Sequence, residues 1–410
     1  MQGKVVLIGT LDTKEKEIGF VKNIIESAGV PTIVMNTGIN GSPDWEVEIS
    51  NASIAQAGGA ALSELVAKGD RGYAMDVMMK GAAAVLAELY ANQEVAGVIG
   101  LGGSAGTTIA AWAMQALPIG VPKLIVSTVA SGNTRPYVGE KDITMMYSVV
   151  DISGINRLSA KILSNAAYAI AGMAKGVQPQ LAEKPIIAAS MFGVTTPCVT
   201  KAMAYIEEQG YETLVFHATG SGGKAMESLI ESGFIEGVLD ATTTEWCDEL
   251  VGGVLTAGPH RLEAAAKSGI PQVVSTGALD MVNFGAYDTV PEKFAGRKLY
   301  KHNATITLMR TNVEENRKLG EIVASKLNQS TAPCALFLPL RGVSAIDGEG
   351  QPFYGPDENA ALFSALREHI DAERVELLEL DRHINDEDFA LAMAKKLLAL
   401  VNEKRAAANA

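Results

Sequence analysis

Val95 to Ala111, VAGVIGLGGSAGTTIAA, sets an apolar run against a turn holding four glycines in seven residues, then two threonines and small apolar residues. Val95 to Ile99 predicts a buried strand, and Ile109 to Leu117 predicts the helix that follows it. Gly100, Gly102, Gly103 and Gly106 let backbone pass close to a ligand with no Cβ in the way. A helix opening here presents unpaired N–H groups and a partial positive charge, to which Ser104, Thr107 and Thr108 add hydroxyl donors. Such a place holds phosphate or carboxylate. The competing reading is that the glycines serve only tight packing of strand on helix.

Neither standard phosphate motif is intact. Gly100, Gly102 and Ala105 fit G-x-G-x-x-A after a strand, but the acid expected about 20 residues on is replaced by Ser127 and Thr128. No lysine follows Gly106, so the phosphate-loop pattern G-x-x-x-x-G-K-[ST] fails as well.

A chain of 410 residues predicts two or three domains at about 150 residues each. With 48% hydrophobic residues, 6% aromatic and 41 glycines, the composition is that of an α/β protein. The net charge of −13 argues against unaided binding to nucleic acid or to an anionic membrane, which clustered Lys and Arg would mediate. Cys198, Cys247 and Cys334 are far apart and odd in number, which predicts reduced thiols in a cytoplasmic protein rather than disulfides or a zinc site. No signal peptide or membrane span is expected.

Taken from the start, Lys4 to Gly9 predicts a strand, Thr10-Leu11-Asp12-Thr13 a polar turn, and Lys14 to Ala28 a helix with Ile18, Val21, Ile24 and Ile25 on one face. Asp12 with Glu15 reads as an N-cap pair. The same residues, Gly9, Thr10, Asp12 and Thr13, lie at the carboxyl end of a parallel strand, where open α/β sheets bind ligands. A second strand, Pro31 to Met35, ends in Asn36-Thr37-Gly38. Pro43 to Lys68 is less regular, and Arg71, just ahead of a helix expected from Tyr73 to Asn92, is placed either to pair with a phosphate or to stay solvated. Lys123 to Val126 predicts another strand, ending in Ser127, Thr128, Ser131 and Gly132, with Asp142 and Asp151 further on as carboxylates suited to Mg²⁺ beside a nucleotide. Gly154 to Lys175 predicts one long helix.

GVQPQLAEKP, Gly176 to Pro185, marks a boundary. Past it the pattern repeats. Ile186 to Gly193 and Thr213 to Phe216 echo the first two strands, Gly237-Val238-Leu239 echoes Gly97-Val98-Ile99, and Pro271 to Thr276 echoes Pro122 to Thr128. The fold expected is α/β, with two Rossmann-like, doubly wound parallel-sheet subdomains over residues 1–180 and 181–410, facing each other across a cleft.

All five histidines, His217, His260, His302, His369 and His383, lie in the second half. His217 precedes a second glycine-rich turn, Thr219 to Lys224, which is equally suited to an anion. Glu245 is a candidate general base or metal ligand, and His260, Arg261 and Asp280 sit after later elements. Each alone fits a structural role. Several polar strand ends on one sheet edge point instead to a site. Glu403-Lys404-Arg405 and the alanines after it are expected to fray.

Longer strings carry a resemblance: GVIGLGGSAGT (Gly97 to Thr107), IVSTVASG (Ile125 to Gly132), SVVDISGIN (Ser148 to Asn156), MFGVTTPCV (Met191 to Val199), ETLVFHATGSGG (Glu212 to Gly223), GVLDATTTE (Gly237 to Glu245), GALDMVNFG (Gly277 to Gly285) and HIND (His383 to Asp386). With Gly9-Thr10, Asp12-Thr13-Lys14 and LMRT (Leu308 to Thr311), they resemble the family of the ATP-binding N-terminal domain of the tomato mosaic virus resistance protein and its uncharacterised bacterial relatives. The resemblance implies two Rossmann-like subdomains, ATP bound by the first of them, and homodimers. The plant protein's antiviral role belongs to one partner pair and does not transfer with a fold. Its additional TIM-barrel-like domain is not expected within this sequence, and a separate polypeptide is the expected source.

Two functions follow as expectations. In one, an ATP-dependent enzyme acts on a small anionic metabolite: ATP and Mg²⁺ lie among Thr10 to Thr13, Gly102 to Thr108 and Ser127 to Gly132. Arg71 or the metal offsets charge, His217 or Glu245 moves a proton, and Arg261 and Lys224 hold the substrate, with His260 and Asp280 nearby. In the other, ATP gates a protein-binding surface without turnover.

Overall fold

The structure is a computed structural model and describes residues 3–41, 43–177 and 184–408. Residues 178–183 of the expected boundary lie outside the described residues. The chain divides into two compact units, Met1–Gln180 and Leu181–Ala410.

In the first unit, five strands, β1 (Lys4–Gly9), β2 (Thr32–Asn36), β3 (Val95–Gly102), β4 (Lys123–Ser127) and β5 (Thr144–Tyr147), form a parallel sheet in the order β2-β1-β3-β4-β5. Among the described residues six helices connect them, α1 (Leu11–Ser27), α2 (Asn51–Ala57), α3 (Leu62–Lys68), α4 (Arg71–Ala91), α5 (Ser104–Gln115) and the single turn α6 (Arg135–Val138), and α7 (Arg157–Lys175) follows β5. Ile18, Val21 and Ile25 of α1 pack with Leu163, Ala166 and Ile170 of α7 on one face of the sheet. Ile54 of α2, Val77 and Met78 of α4, and Ile109 of α5 pack on the other. Both faces are therefore covered, which is why β2 and β4 are buried along their whole length.

The second unit repeats this plan. Its main sheet, in the order β14-β13-β9-β8-β6-β7, comprises β6 (Ile186–Met191), β7 (Glu212–His217), β8 (Gly237–Thr242), β9 (Gln272–Gly277), β13 (Cys334–Pro339) and β14 (Val375–Leu380). Every neighbouring pair is parallel. A small antiparallel sheet, β10-β12-β11, is inserted from β10 (Met281–Phe284), β11 (Leu299–Lys301) and β12 (Thr307–Arg310). The helices are α8 (Thr196–Glu208), α9 (Ser221–Glu231), α10 (Glu245–Val251), α11 (Ala264–Lys267), α12 (Val313–Leu327), α13 (Pro356–His369) and α14 (Glu387–Ala408). Two Rossmann-like α/β units thus make up the chain. Among the described residues no helix is long and apolar enough to cross a membrane.

Local boundaries differ from the sequence reading for identifiable reasons. α1 begins at Leu11 behind Thr10, so Asp12 is not its cap. α4 starts at Arg71 because the Asp70 carboxylate caps the Tyr73 amide. α7 starts at Arg157 rather than Gly154, fixed by a reciprocal Asn156–Ser159 capping box. The stretch judged irregular holds α2 and α3. Helix α14 continues through Glu403-Lys404-Arg405, held by Arg405 over the Tyr211 ring at 5.3 Å and paired with Glu236.

At the end of β3 and the turn that follows, three of the four glycines serve packing. A Cβ on Gly100 would lie 2.5 Å from the Ala110 Cβ, one on Gly102 2.8 Å from the Gly106 Cα, and one on Gly106 3.1 Å from the Leu101 carbonyl oxygen. Gly103 is open, with the Thr128 hydroxyl 3.7 Å away as its nearest neighbour. Gly102→Ala should therefore lose about 1–3 kcal/mol in urea unfolding, because the clash is with backbone, whereas Gly103→Ala should lose less than about 1 kcal/mol.

Candidate functional site

In the order β2-β1-β3, the helix after β1 goes to one face and the helix after β3 to the other, which leaves a crevice at the carboxyl ends of these strands. A cavity of about 630 Å³ fills that crevice. Its floor is the turn Gly102, Gly103, Ser104 and Gly106 at the start of α5, with Thr10, Asp12, Thr13 and Lys14 on the β1 side. Thr37, Gly38 and Asn40 follow β2, and Asp70 and Arg71 open α4. Leu65, Val66, Met75, Met78 and Ile109 make an apolar wall.

Local bonding fixes this geometry. The Asn36 side chain accepts from the Leu11 amide at 3.2 Å and the Gly38 amide at 2.9 Å, tying the ends of β1 and β2 together. The Asp12 carboxylate lies over Gly38, where a Cβ would come within 2.7 Å of it, and accepts from the Asn40 amide at 3.2 Å. The Thr10 and Thr13 hydroxyls are 2.9 Å apart. Thr37 is 2% exposed, yet its hydroxyl oxygen has no partner among the described residues. A buried donor left unmade is costly, so the Thr37 hydroxyl is an unsatisfied group beside the cavity. Arg71 and Lys14 make no ion pair among the described residues, so two unpaired cations border the crevice together with the Asp12 and Asp70 carboxylates.

Of the residues expected around a nucleotide, Thr10, Asp12, Thr13, Arg71, Gly102, Gly103, Ser104 and Gly106 line the cavity. The others have structural bonds or lie beside it. The Thr107 hydroxyl is 2.6 Å from that of Ser127, both fully buried, and locks α5 to the end of β4. Thr108 donates back to the Ser104 carbonyl at 2.8 Å within the helix. Gly9 is buried in β1, Thr128 flanks Gly103, and Ser131 and Gly132 are exposed in the loop after β4. Lys14 and the apolar wall are not singled out as site residues by the sequence: Leu65 and Val66 lie in its irregular stretch, and Lys14, Met75, Met78 and Ile109 lie in expected helices, where spacing does not show that they face a cavity. Asp142 is not a metal ligand beside the crevice. It pairs at 2.7 Å with the buried Lys123 ammonium at the opposite, amino end of β4. Burial opposes its ionisation, but Lys123 and the Gly120 amide outweigh this and hold its pKa low. Asp151 is exposed in the loop after β5, and no metal-ligating group of three or more His, Cys, Asp or Glu occurs among the described residues.

The five residues expected to do chemistry in the second unit do not converge. Arg261 and Glu245 are each 1% exposed and paired at 2.7 Å. Arg261 also grips Asp240 with two bonds, at 2.5 and 2.7 Å, and reaches Glu227 at 3.1 Å. Burial opposes the guanidinium charge, but these carboxylates hold its pKa well above the ordinary value. Glu245 in turn accepts from the amides of Gly220 at 2.6 Å and Gly223 at 3.2 Å. The second glycine-rich turn therefore already holds an anion, supplied by the chain itself. Asp280 belongs to a separate buried network with Ser344, at 2.8 Å, beside Arg310 and Asp347. His260 is exposed and bonds Glu263 at 3.0 Å, and His217 lines a different cavity. Glu245 and Arg261 are thus interior supports, not accessible acid, base or anion receptor.

Removing Arg261 would strand buried carboxylates, so Arg261→Ala should cost about 3–5 kcal/mol in urea unfolding, against less than about 0.5 kcal/mol for the exposed His217→Ala. Asp248 provides a pH test. Burial pushes its carboxyl from 3.8 up to about 7, although the Asn283 and Leu255 amides, both at 2.7 Å, favour its ionised form. The folded protein keeps a proton that the unfolded chain releases between 3.8 and about 7, so this group makes stability fall as pH rises through that window. Thermal unfolding of Asp248→Asn should show a shallower fall over the same range.

Both units match models of one family, described as uncharacterised protein family UPF0261: the N-terminal domain over residues 3–179 and the C-terminal domain over residues 184–401. A UPF0261 protein of Clostridium tetani is 59% identical over 404 residues, covering 98% of this chain and all of that protein. One from Rhizobium meliloti is 45% identical over 95% of this chain and 97% of its own length. The tomato ToMV resistance protein Tm-1(GCR237) is 41% identical over 98% of this chain, which spans 56% of the tomato protein. Matched over nearly its whole length by two domain models in series and by relatives of this closeness, the chain belongs to the UPF0261 family.

Proposed function

We propose that the first unit binds a nucleoside triphosphate, ATP with Mg²⁺, in the crevice between β1 and β3. The reading is carried by one juxtaposition: an apolar wall faces a glycine turn and helix N-terminus, with Arg71, Lys14 and the unpartnered Thr37 hydroxyl at the edge of the same cavity. The wall suits a base. The α5 amides and the two cations suit phosphate oxygens. Asp12 and Asp70 both border the cavity and could each supply a carboxylate to Mg²⁺, which keeps phosphate and water as its other ligands.

The burial of Glu245 and Arg261 weighs against chemistry by that cluster. Calorimetry with Mg²⁺ and ATP should give saturable binding with one nucleotide per chain. Arg71→Ala should weaken it by about tenfold to a hundredfold, the loss expected for a charge-assisted bond to phosphate. Thr37→Val should weaken binding without lowering the melting temperature, because the lost hydroxyl has no internal partner. No binding by the folded protein, or binding indifferent to Arg71, would overturn the proposal. ADP accumulating in the same samples would return the reading to an ATP-dependent enzyme.

A further inference from the structure

We propose that the second unit has a ligand site of its own, which takes a small monocarboxylic acid with an apolar body. The site is a cavity of about 200 Å³ at the carboxyl ends of β6 and β7, bounded by the segment joining β11 to β12. In the order β7-β6-β8 these strands occupy the places of β2 and β1 in the first unit, so the cavity lies beside the topological switch point between β6 and β8 rather than at it. On the β8 side, the buried Arg261 cluster and Glu245 on its glycine turn fill the equivalent space. That occupation excludes a phosphate from the turn and leaves only the β6 and β7 side open.

What remains is apolar with two imidazoles. Val194, Leu255, Ile306 and Leu308 line it, with Phe192 beside them. His217 and His302 line it as well, and neither ring makes a hydrogen bond or ion pair among the described residues. The Phe192 and His217 rings are 5.6 Å apart and tilted by 47°, which orients the imidazole against the apolar wall. Two nitrogen-bearing rings without internal partners among the described residues, beside a cavity whose remaining lining is hydrocarbon apart from Gly193 and the Thr219 hydroxyl, match a carboxylate head on an apolar body. At ~30 Å³ per water the cavity equals six or seven waters, room for an acid of roughly six to nine non-hydrogen atoms. A polyhydroxylated body would bury its hydroxyls against leucine, isoleucine and valine, with little beyond the Thr219 hydroxyl to compensate them.

This inference is independent of the nucleotide reading, and its test uses the full chain without nucleotide. The chain holds only five histidines, so the imidazole signals of a histidine-labelled sample can be assigned by substitution. Benzoate or isovalerate should move two of the five signals, those of His217 and His302, in a saturable way. Benzamide, the neutral counterpart, should not. His217→Ala and His302→Ala should each weaken benzoate binding about tenfold or more, with melting temperatures unchanged because both side chains are exposed. His217→Gln, which keeps a donor, should recover part of the loss. Equal response to benzamide, no saturable response to either acid, or binding unaffected by both variants would overturn the proposal. So would tight capture of Zn²⁺ by the two imidazoles in a protein that ignores the acids.

Discussion

Right-handed crossover between parallel strands is the constraint on which both units depend. A chain that steps from β1 to β2 and then back across β1 to β3 must send its connecting helices to opposite faces of the sheet. Between the two directions nothing covers the carboxyl ends of the central strands. The polar and glycine-bearing residues found there, Thr10, Asp12, Thr37 and Gly103, are tolerated because helix packing leaves a cavity beside them.

The two units resolve that gap differently. In the first, Asn36 closes only the backbone amides at the β1 and β2 ends and leaves a cavity beyond them. In the second, Glu245 and Arg261 reach into the equivalent position and satisfy the Gly220 and Gly223 amides and the Asp240 carboxylate. A carboxylate on a helix N-terminus and a guanidinium beside it reproduce the charge pattern of a bound anion and its counterion. Identical topology can thus give an open crevice or a self-filled one, according to whether a loop returns a charged side chain to it.

Desolvation sets the character of the second unit's interior. Several carboxylates there are held by amides, hydroxyls or arginine with little access to water. Asp248 leans on the Asn283 and Leu255 amides, and Asp280 on Ser344 with one oxygen unpartnered among the described residues. In both, burial raises the pKa. Perturbed carboxylates are common at active sites, but here they are sealed beneath the strand ends, which separates a structural network from a working acid.

The sequence by itself determined the α/β class, the repeated βα plan and the polar strand ends, because buried parallel strands and glycine-bearing turns leave strong local patterns. It pointed to Thr10, Asp12, Thr13, Arg71 and the Gly102 to Gly106 turn, which the fold brings to one cavity. Only tertiary structure decided which hydroxyls face that cavity and which, like Thr107 and Ser127, face each other. It alone showed that Gly100 and Gly102 are glycine for helix packing, that Lys14 and the apolar wall complete the crevice, and that Glu245 and Arg261 are partners in the interior. Those facts depend on the direction of side chains from elements far apart in the chain. Spacing along a sequence records periodicity within one element; it carries no information on which distant residue returns to meet it.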